Sequence, residues 1–438
     1  MNRREIAEQI FLAGVESVLP DKLISRNLAL KGNTLHIGQK RINLDKTGRV
    51  FVIGAGKASA IMAREVEKIL GDRITRGHII VKYGHSTDLK KIKISEAGHP
   101  FPDSNGIKAT KRLLEIAYEA DSDDLVICLL SGGGSSLLCD CPDELTPEDL
   151  VLVNKLLVNC GAGIREINAV RKHLSGVKGG RLAGAVYPAT LVSLILSDVI
   201  GDHPDIIASG PTTPDPTTFV DAIEVLDKYD IKSSLPGRII DYLYEGAICK
   251  IPDTPKPGEE IFNRTSNIII GSNSIALESA GRKALEYNLN AIVTEDQLQG
   301  DVVTVSEFLV DTALKYRNDK NEIKPVCILM GGETTVKMTG KGSGGRNQHL
   351  AMLCAGLLEK IPGITILCAG TDGSDGPTKA AGAVVDYETI IAAFNKNIDI
   401  QEYTSEFNSY NFFRKTGGHI ITGPTMTNVM DIVLMIVD

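Results

Sequence analysis

Two isolated cations stand in glycine-rich loops, one in each half of the sequence. Lys57 lies in GAGKAS (54–59) and Arg346 lies in GSGGRNQ (342–348), both beside a helical pattern that follows. Glycines let backbone N–H groups approach an anion closely, and the cation adds a full positive charge. The two loops therefore predict anion sites. Taken singly, the first also fits a plain strand-to-helix turn, and the second also fits an exposed surface arginine.

A third glycine-rich loop offers hydroxyl groups instead of a cation. It follows an apolar run at 124–130 and consists of Ser131, Gly132, Gly133, Gly134, Ser135 and Ser136. Backbone N–H groups and hydroxyls grouped in this way form a nest for phosphate or carboxylate oxygens. A flexible turn is the alternative, but a turn after a buried strand rarely needs so many glycines and serines together. The pattern favours anion binding.

Carboxylates occupy corresponding positions after other apolar runs. Asp198 follows such a run in the first half, and Glu333, Asp372 and Asp375 follow two more in the second half. A carboxylate in this position can hold Mg²⁺ or accept a proton. We therefore assign Asp198, Asp372 and Asp375 as candidate magnesium ligands, whereas Glu333 could pair with Arg346 or with a metal. Helix caps and surface turns are the alternatives for the aspartates.

These loops need a scaffold that brings the ends of several strands together. Short β-branched runs alternate with amphipathic segments, which is typical of parallel α/β layers. In such sheets ligands bind beyond the carboxyl ends of the strands. The patterns predict strands at 49–53, 77–82, 124–130, 190–196, 267–271, 290–295, 326–332, 364–370 and 431–437. They predict helices at 57–70, 106–120, 147–160, 273–288, 301–317, 345–359 and 387–395, besides an N-terminal amphipathic helix.

The length of 438 residues predicts two domains of roughly 200 residues each. Proline-rich segments at 209–218 and 250–262 place the crossing between them, near residue 240. We expect a Rossmann-like N-terminal domain at 1–240 and an α/β C-terminal domain at 241–438. The expected fold class is α/β, with two three-layer α/β/α domains, mostly parallel sheets and an active site in the interdomain cleft.

Composition narrows the class of partner. A net charge of −8 argues against nucleic acid, which usually requires a basic face. The apolar runs are strand-length, too short to span a membrane. The N-terminal segment does not resemble a signal peptide. Eight cysteines spread along the chain fit a reducing cytoplasm. We expect a cytoplasmic protein that acts on small molecules and could form a homodimer.

Taken together, the motifs resemble a known enzyme family along essentially the whole chain. They are GAGKAS, SGGGSSLL, SDVIGDHPDIIASGPTTPDPTT, GGETTV, GGRNQ, AGTDGSDGPTKAAGA and the terminal TGPTMTNVMDI. In this order they resemble the class II glycerate kinases, also called glycerate 2-kinases, and the second half resembles their MOFRL domain. The resemblance implies ATP and Mg²⁺ dependence, D-glycerate as acceptor and 2-phosphoglycerate as product. Only the resemblance implies that the 2-hydroxyl of D-glycerate is the group that is phosphorylated.

The resemblance also implies which residues function. They are Lys57, Asp198, Asn273, Glu333, Arg346, Asp372 and Asn428. We hypothesise that Lys57 and Arg346 neutralise the transferred phosphoryl group. Asp198 or Asp372 would act on the attacking hydroxyl while the other holds Mg²⁺, and the nest at 131–136 would bind either the glycerate carboxylate or nucleotide phosphates.

Two other functions remain open at this stage. The glycine-rich first turn also suits an NAD-dependent oxidoreductase, although Ser59 replaces the third glycine of that fingerprint. A non-catalytic sugar-phosphate-binding module would explain the serine and glycine loop, but it would leave Arg346 and the aspartates of the second half without a role. Turnover of ATP distinguishes the kinase from both.

Overall fold

The computed structural model describes residues 1–338 and 340–438, with residue 296 described by its backbone alone. The chain forms two compact units. The first unit is Pro20–Ile270, and the second unit combines Met1–Leu19 with Gly271–Asp438. These units differ from the expected domains because the first continues past residue 240 and the N-terminal helix packs with the second. Within the described residues, no helix has the length and apolar character needed to cross a membrane.

The strands are short and most are buried. In chain order they are β1 Leu28–Lys31, β2 Thr34–Ile37, β3 Lys40–Asn43, β4 Val50–Ala55, β5 Arg76–Lys82, β6 Ile92–Ala97, β7 Leu125–Leu130, β8 Thr190–Leu196, β9 Thr265–Gly271, β10 Asn290–Asp301, β11 Val326–Thr335, β12 Ile364–Gly370, β13 Gly382–Asp386, β14 His419–Ile420 and β15 Asp431–Val437.

The helices separate most of these strands. In chain order they are α1 Arg3–Ser17, α2 Pro20–Asn27, α3 Ser59–Leu70, α4 Ser104–Glu119, α5 Gly134–Leu137, α6 Pro147–Asn159, α7 Ile164–His173, α8 Arg181–Val186, α9 Phe219–Lys228, α10 Gly237–Ala247, α11 Asn273–Glu286, α12 Val302–Asn318, α13 Arg346–Leu357, α14 Tyr387–Asn395, α15 Ile400–Ser405 and α16 Ser409–Thr416.

The main sheet of the first unit has the strand order β6-β5-β4-β7-β8-β9. β4 pairs in parallel with β5 on one side and with β7 on the other, and the pairs β5–β6 and β7–β8 are also parallel. The order therefore reverses between β4 and β7. In doubly wound folds ligands bind at the carboxyl ends of the strands at such a reversal. A separate antiparallel sheet contains β1, β2 and β3.

Both faces of this main sheet are covered. Alternate residues such as Phe51, Ile53 and Val126 share a buried cluster with Leu113 of α4 and Leu182 of α8. Helix α3 packs against β4, β5 and β7. Burial on both faces explains why these strands are continuous apolar runs. The expected parallel α/β architecture is confirmed for this unit.

A second core of the first unit is helical. Helices α6, α7, α9 and α10 bury a cluster that includes Leu157, Val170, Phe219, Leu226 and Leu243. The cluster is built from apolar stripes that repeat at helical spacing. It fixes α6 and α7 beside the segment that follows β7.

The sheet of the second unit has the order β10-β11-β15-β12-β13-β14. In the described part of the chain β10 and β11 form the one parallel pair of this sheet. β15 runs antiparallel to β11 and β12, and β13 runs antiparallel to β12 and β14. The expectation of a mostly parallel sheet is therefore wrong for this unit. Its apolar runs reflect burial between helix layers, and burial does not determine strand direction.

Helices also cover both faces of this second sheet. Leu309 of α12 and Leu350 of α13 share a buried cluster with Ile328, Ile366 and Met435. Helix α1 packs against α11, β12 and β15. The N-terminal helix thus completes the second unit, although the rest of that unit begins more than half the chain later.

Candidate active site

Lys57 lies where the loop after β4 is held against the loop after β7. The Lys57 N–H donates to the Gly132 carbonyl at 2.9 Å, and the Ala58 N–H donates to Ser131 Oγ at 3.0 Å. Gly56 has a φ of 145°, and a Cβ atom there would lie 2.1 Å from Ser131 Oγ. The first glycine loop therefore needs Gly56 for loop-to-loop contact, a role that the sequence pattern does not distinguish from anion binding.

Three polar side chains surround the glycines of the second loop. A Cβ atom at Gly133 would lie 2.9 Å from His99 Nε2 and 3.3 Å from Lys57 Cε. A Cβ atom at Gly132 would lie 2.3 Å from Asp198 Oδ2. The structure thus brings Lys57, His99 and Asp198 together at the reversal of strand order. We call these three residues, with Gly132 and Gly133, the Lys57 cluster.

Two lysines, Lys57 and Lys82, place positive charge near the imidazoles at the Lys57 cluster, which also contains the Asp198 carboxylate. Burial, with the Lys57 and Lys82 ammonium groups nearby, lowers the pKa of His99 to about 4. His85 Nδ1 donates a hydrogen bond to Lys57 O at 3.1 Å, and burial lowers the pKa of His85 as well. Both imidazoles are therefore biased toward the neutral form, so the lysines supply the charge that an anion would meet.

The three serine hydroxyls of the loop already have protein partners. Ser135 Oγ lies 2.7 Å from Ser209 Oγ, and Ser136 Oγ donates to Pro100 O at 2.8 Å. Ser131 Oγ accepts the Ala58 N–H described above. These bonds hold the loop in place. They indicate that Ser131 and Ser136 shape the predicted nest from within, and the binding role of residues 131–136 stays a prediction.

Arg346 is the centre of the corresponding cluster in the second unit. Its Nε donates to Asp431 Oδ2 at 2.7 Å, its Nη2 donates to Asp431 Oδ1 at 2.9 Å, and its Nη1 lies 2.5 Å from Glu333 Oε1. Burial opposes the charge, yet Asp431 and Glu333 raise the pKa of Arg346 above its usual value. The guanidinium is therefore a permanently charged group in a fixed orientation.

Asn273 supports this arrangement from the start of α11. Its Nδ2 donates to Val429 O at 2.7 Å and to Asp431 O at 3.0 Å. A Cβ atom at Gly331 would lie 1.6 Å from Asn273 Oδ1, so the amide fits only against glycine. Asn273 thus fixes the backbone that presents Asp431 to Arg346.

Asp372 and Asn428 lie in neighbouring loops of the second unit. A Cβ atom at Gly370 would lie 3.3 Å from both Asp372 Oδ1 and Asp431 Oδ1, which places the two carboxylates side by side. Asp372 Oδ1 accepts the Ser374 N–H at 3.0 Å, and Asn428 Oδ1 accepts the Met430 N–H at 3.0 Å. Asp372 remains partly exposed, as a metal ligand or base must be.

The Asp375 carboxylate is engaged by the start of α13. Its Oδ1 accepts the Asn347 N–H at 3.1 Å, and its Oδ2 accepts the Gln348 N–H at 2.8 Å and Gln348 Nε2 at 2.9 Å. These bonds cap the first turn of α13. Burial raises the pKa of Asp375 to about 6. Of the three aspartates assigned to magnesium, Asp375 therefore has the least support.

No group of three or more His, Cys, Asp or Glu side chains within residues 1–338 and 340–438 has the arrangement of a metal site. Magnesium in phosphoryl-transfer enzymes usually keeps several waters and takes one or two carboxylates plus substrate phosphates. The partly exposed carboxylate of Asp372 fits that kind of site, and so does Asp198 in the Lys57 cluster.

Two residues of these clusters were missed from the sequence. His99 belongs to no recognisable motif, so nothing in the sequence could have found it. Asp431 had a signal, because it is a charged residue at the start of the apolar run DIVLMIV. A buried carboxylate at a strand end usually has a charged partner.

Comparisons with known proteins agree with the architecture. Residues 6–244 match the family model described as a domain of unknown function, DUF4147, and residues 326–431 match that of the MOFRL family. The D-glycerate 2-kinase of Thermotoga maritima is 39% identical over 98% of this chain and 97% of its own. A protein of Agrobacterium vitis, provisionally named a hydroxypyruvate reductase, is 38% identical over 99% of this chain and 94% of its own.

A solved structure has the same fold over nearly the whole chain. The crystal structure of the Thermotoga maritima glycerate kinase superposes with a TM-score of 0.87 at 36% identity, and the match covers 99% of each chain. The resemblance stated from the motifs is therefore confirmed along the full length. This chain belongs to the family of the class II glycerate kinases, the glycerate 2-kinases that carry a MOFRL domain.

Proposed function

We propose that this chain is an ATP-dependent D-glycerate 2-kinase. In the reaction the 2-hydroxyl oxygen of D-glycerate attacks the γ-phosphorus of ATP, the bond to the β-phosphate oxygen breaks, and the hydroxyl proton leaves. The products are 2-phosphoglycerate and ADP. The observation that carries the proposal is the Lys57 cluster, in which a lysine and a carboxylate meet at glycine backbone where the strand order reverses.

Phosphoryl transfer depends mostly on positioning and on neutralising charge. Lys57 supplies a cation beside Gly133, and Asp198 supplies a carboxylate beside the adjacent Gly132. We assign Lys57 to the transferred phosphoryl group. Asp198 would either accept the hydroxyl proton or hold Mg²⁺, as expected from the sequence.

The roles in the second unit are proposals of the same kind. Arg346 would neutralise the transferred phosphoryl group together with Lys57, and Asp372 would take whichever carboxylate role Asp198 does not. Whichever of Asp198 and Asp372 does not accept the proton would hold Mg²⁺, which would offset the negative charge of the phosphates. Asn273, Glu333 and Asp431 orient Arg346. The homodimer and the cytoplasmic location expected from the sequence stay predictions.

The related protein named as a reductase makes an NAD-dependent activity the second candidate. Hydroxypyruvate is the 2-oxo counterpart of glycerate, so the compounds named for the two relatives share one three-carbon skeleton. The structure favours the kinase because β5 ends at Lys82, where a dinucleotide fold usually offers an acid to the ribose. Lys82 instead adds positive charge near His99.

One experiment distinguishes the candidates. The protein is incubated with ATP, Mg²⁺ and D-glycerate, and the product is identified by phosphorus and proton NMR. We expect 2-phosphoglycerate and ADP in equal amounts. Formation of 3-phosphoglycerate would contradict the assigned hydroxyl. Oxidation of NADH by hydroxypyruvate, without any release of ADP in the first assay, would contradict the kinase altogether.

A further inference from the structure

A cavity of about 310 Å³ lies in the first unit, next to the serine end of the loop after β7. Its lining includes Leu150, Val153 and Val158 of α6, Leu174 directly after α7, and Phe101. A mostly apolar cavity of this size, with a few polar groups, is typical of a small-ligand site, for which volumes of roughly 300–1,000 Å³ are usual. None of its lining residues other than Ser135 and Ser136 has a role in the proposed reaction.

The cavity adjoins the Lys57 cluster through two segments of chain. Ser135 and Ser136 line the cavity, and Gly133 of the same loop lies against Lys57 and His99. Two residues of extended chain span at most about 7 Å. On the other segment Pro100 lines the cavity directly after His99, and Ser136 Oγ donates to Pro100 O at 2.8 Å. A ligand in the cavity therefore needs only a short extension to reach Lys57.

The charged groups that line the cavity are mainly cationic. Arg171 donates its Nε to Asn154 Oδ1, and burial lowers the pKa of Arg171. Lys178 is buried and donates to Leu138 O at 2.7 Å. The carboxylate of Asp140 is engaged by Ser175 Oγ and the Gly176 N–H. The cations thus outnumber the carboxylate, which favours a ligand with negative charge.

The walls also suit a flat ring. Phe101 is half exposed, and Lys155 Nζ lies 5.6 Å from the centre of its ring. The Arg171 guanidinium is planar, and planar groups of this kind stack on aromatic rings. Asn154 Oδ1 accepts from Arg171 and its Nδ2 donates to Leu150 O at 2.8 Å, so the Asn154 amide holds this wall in place. Apolar walls, a stacking ring and excess positive charge together match a nucleoside that carries phosphate.

We propose that this cavity binds the base and ribose of ATP, so that the phosphates extend along the loop at 133–136 to Lys57. The inference rests on the proposed function, because it takes ATP as the phosphoryl donor. It also decides a choice that the sequence leaves open: the nest at 131–136 takes nucleotide phosphates, and the carboxylate of D-glycerate binds elsewhere.

The test fills the cavity and measures nucleotide binding directly. Leu150→Trp places a bulky indole ring on the cavity wall, whereas Val220→Trp adds the same ring at an exposed position of α9 outside the cavity. Calorimetric titration with ADP, and with adenosine as a competitor, gives the dissociation constants. We expect Leu150→Trp to weaken ADP binding about tenfold or more and to abolish competition by adenosine. Val220→Trp should bind like the unsubstituted protein.

A second pair of variants tests the inference even if the Leu150→Trp variant does not fold. Phe101→Ala removes the half-exposed ring at the cavity, and Tyr118→Ala removes an exposed ring of α4 that does not line it. Phe101→Ala should weaken ADP binding about fivefold, as loss of one base-stacking ring does, and Tyr118→Ala should not. Equal ADP affinity in both members of each folded pair would overturn the inference.

The two proposals can fail separately. If ATP and D-glycerate give 2-phosphoglycerate but the cavity variants bind ADP normally, the kinase stands and the nucleotide site is elsewhere. If the cavity variants lose ADP but the unsubstituted protein makes no phosphoglycerate, the cavity stands as a nucleotide site and the acceptor is wrong.

Discussion

Lys57 and Arg346 illustrate two ways to hold a cation in a glycine-rich loop. Within residues 1–338 and 340–438 no carboxylate is salt-bridged to Lys57, whose neighbours are glycine backbone, the neutral His99 imidazole and, beside the adjacent Gly132, the Asp198 carboxylate. Arg346 is held by Asp431 on two nitrogens and by Glu333 on a third. The first arrangement leaves an ammonium whose charge is available to a ligand. The second builds a rigid guanidinium whose charge is already partly balanced.

The two arrangements should contribute differently to the free energy of folding and to phosphate binding. A cation that is not fixed in a bidentate carboxylate pair contributes little to folding, and its charge can stabilise an incoming phosphate. A cation held in a bidentate pair with a buried carboxylate contributes both to folding and to phosphate binding. Its loss affects folding because the carboxylate is then buried without a partner. Activity and stability should therefore separate in the first unit and change together in the second.

The largest effect is expected from Arg346→Ala. Asp431 is buried and would lose its partner, so the free energy of unfolding should fall by about 3 kcal/mol, the low end for a broken buried pair because Arg346 is partly exposed. The kcat should also fall about a hundredfold through loss of a preorganised charge. Urea unfolding and steady-state assays measure the two effects. Near-normal turnover would remove Arg346 from catalysis and leave it as a structural residue.

Lys57→Ala should separate the two quantities. We expect kcat to fall about a hundredfold or more while the free energy of unfolding changes by less than about 0.5 kcal/mol. Lys68→Ala is the matched control, since Lys68 is an exposed lysine of α3 paired with Glu65. It should change neither quantity. A Lys57→Ala variant as active as the Lys68→Ala control would refute the role of Lys57.

The smallest expected effect concerns pH and has opposite signs in the two units. Burial lowers the pKa of His99 to about 4, so between about pH 6.5 and 4 the unfolded chain binds this proton more strongly and acid destabilises the fold. Burial raises the pKa of Asp375 to about 6, so from about pH 6 to 4 the folded chain binds that proton more strongly and acid stabilises it.

Thermal unfolding of two variants measures these contributions. His99→Asn should reduce the loss of Tm between pH 6.5 and 4.5 by roughly 2 °C, and Asp375→Asn should increase that loss by a similar amount. The unsubstituted protein at both pH values is the reference. Shifts of the same sign in both variants would show that the contrast between these two buried groups is wrong.

The sequence predicts the positions of most secondary structure well. The strand expected at 190–196 is Thr190–Leu196, and the helix expected at 387–395 is Tyr387–Asn395. Several of the strands that it misses are weak in pattern for a physical reason, although the missed β13, Gly382–Asp386, is mostly buried and apolar. β6, Ile92–Ala97, lies at an edge of its sheet and carries polar residues, and β1, Leu28–Lys31, is short and belongs to a small separate sheet. Edge strands bury less and so show less apolar bias.

By itself the sequence determined the fold class, the glycine loops, the two cations and the family, because local periodicity, backbone freedom and motif order are all properties of neighbouring residues. Only the tertiary structure decided that β15 runs antiparallel between β11 and β12, that Asp431 holds Arg346, and that His99 joins Lys57 and Asp198. These are contacts between residues far apart in the chain. Their free energy depends on packing of whole layers, which no local pattern encodes.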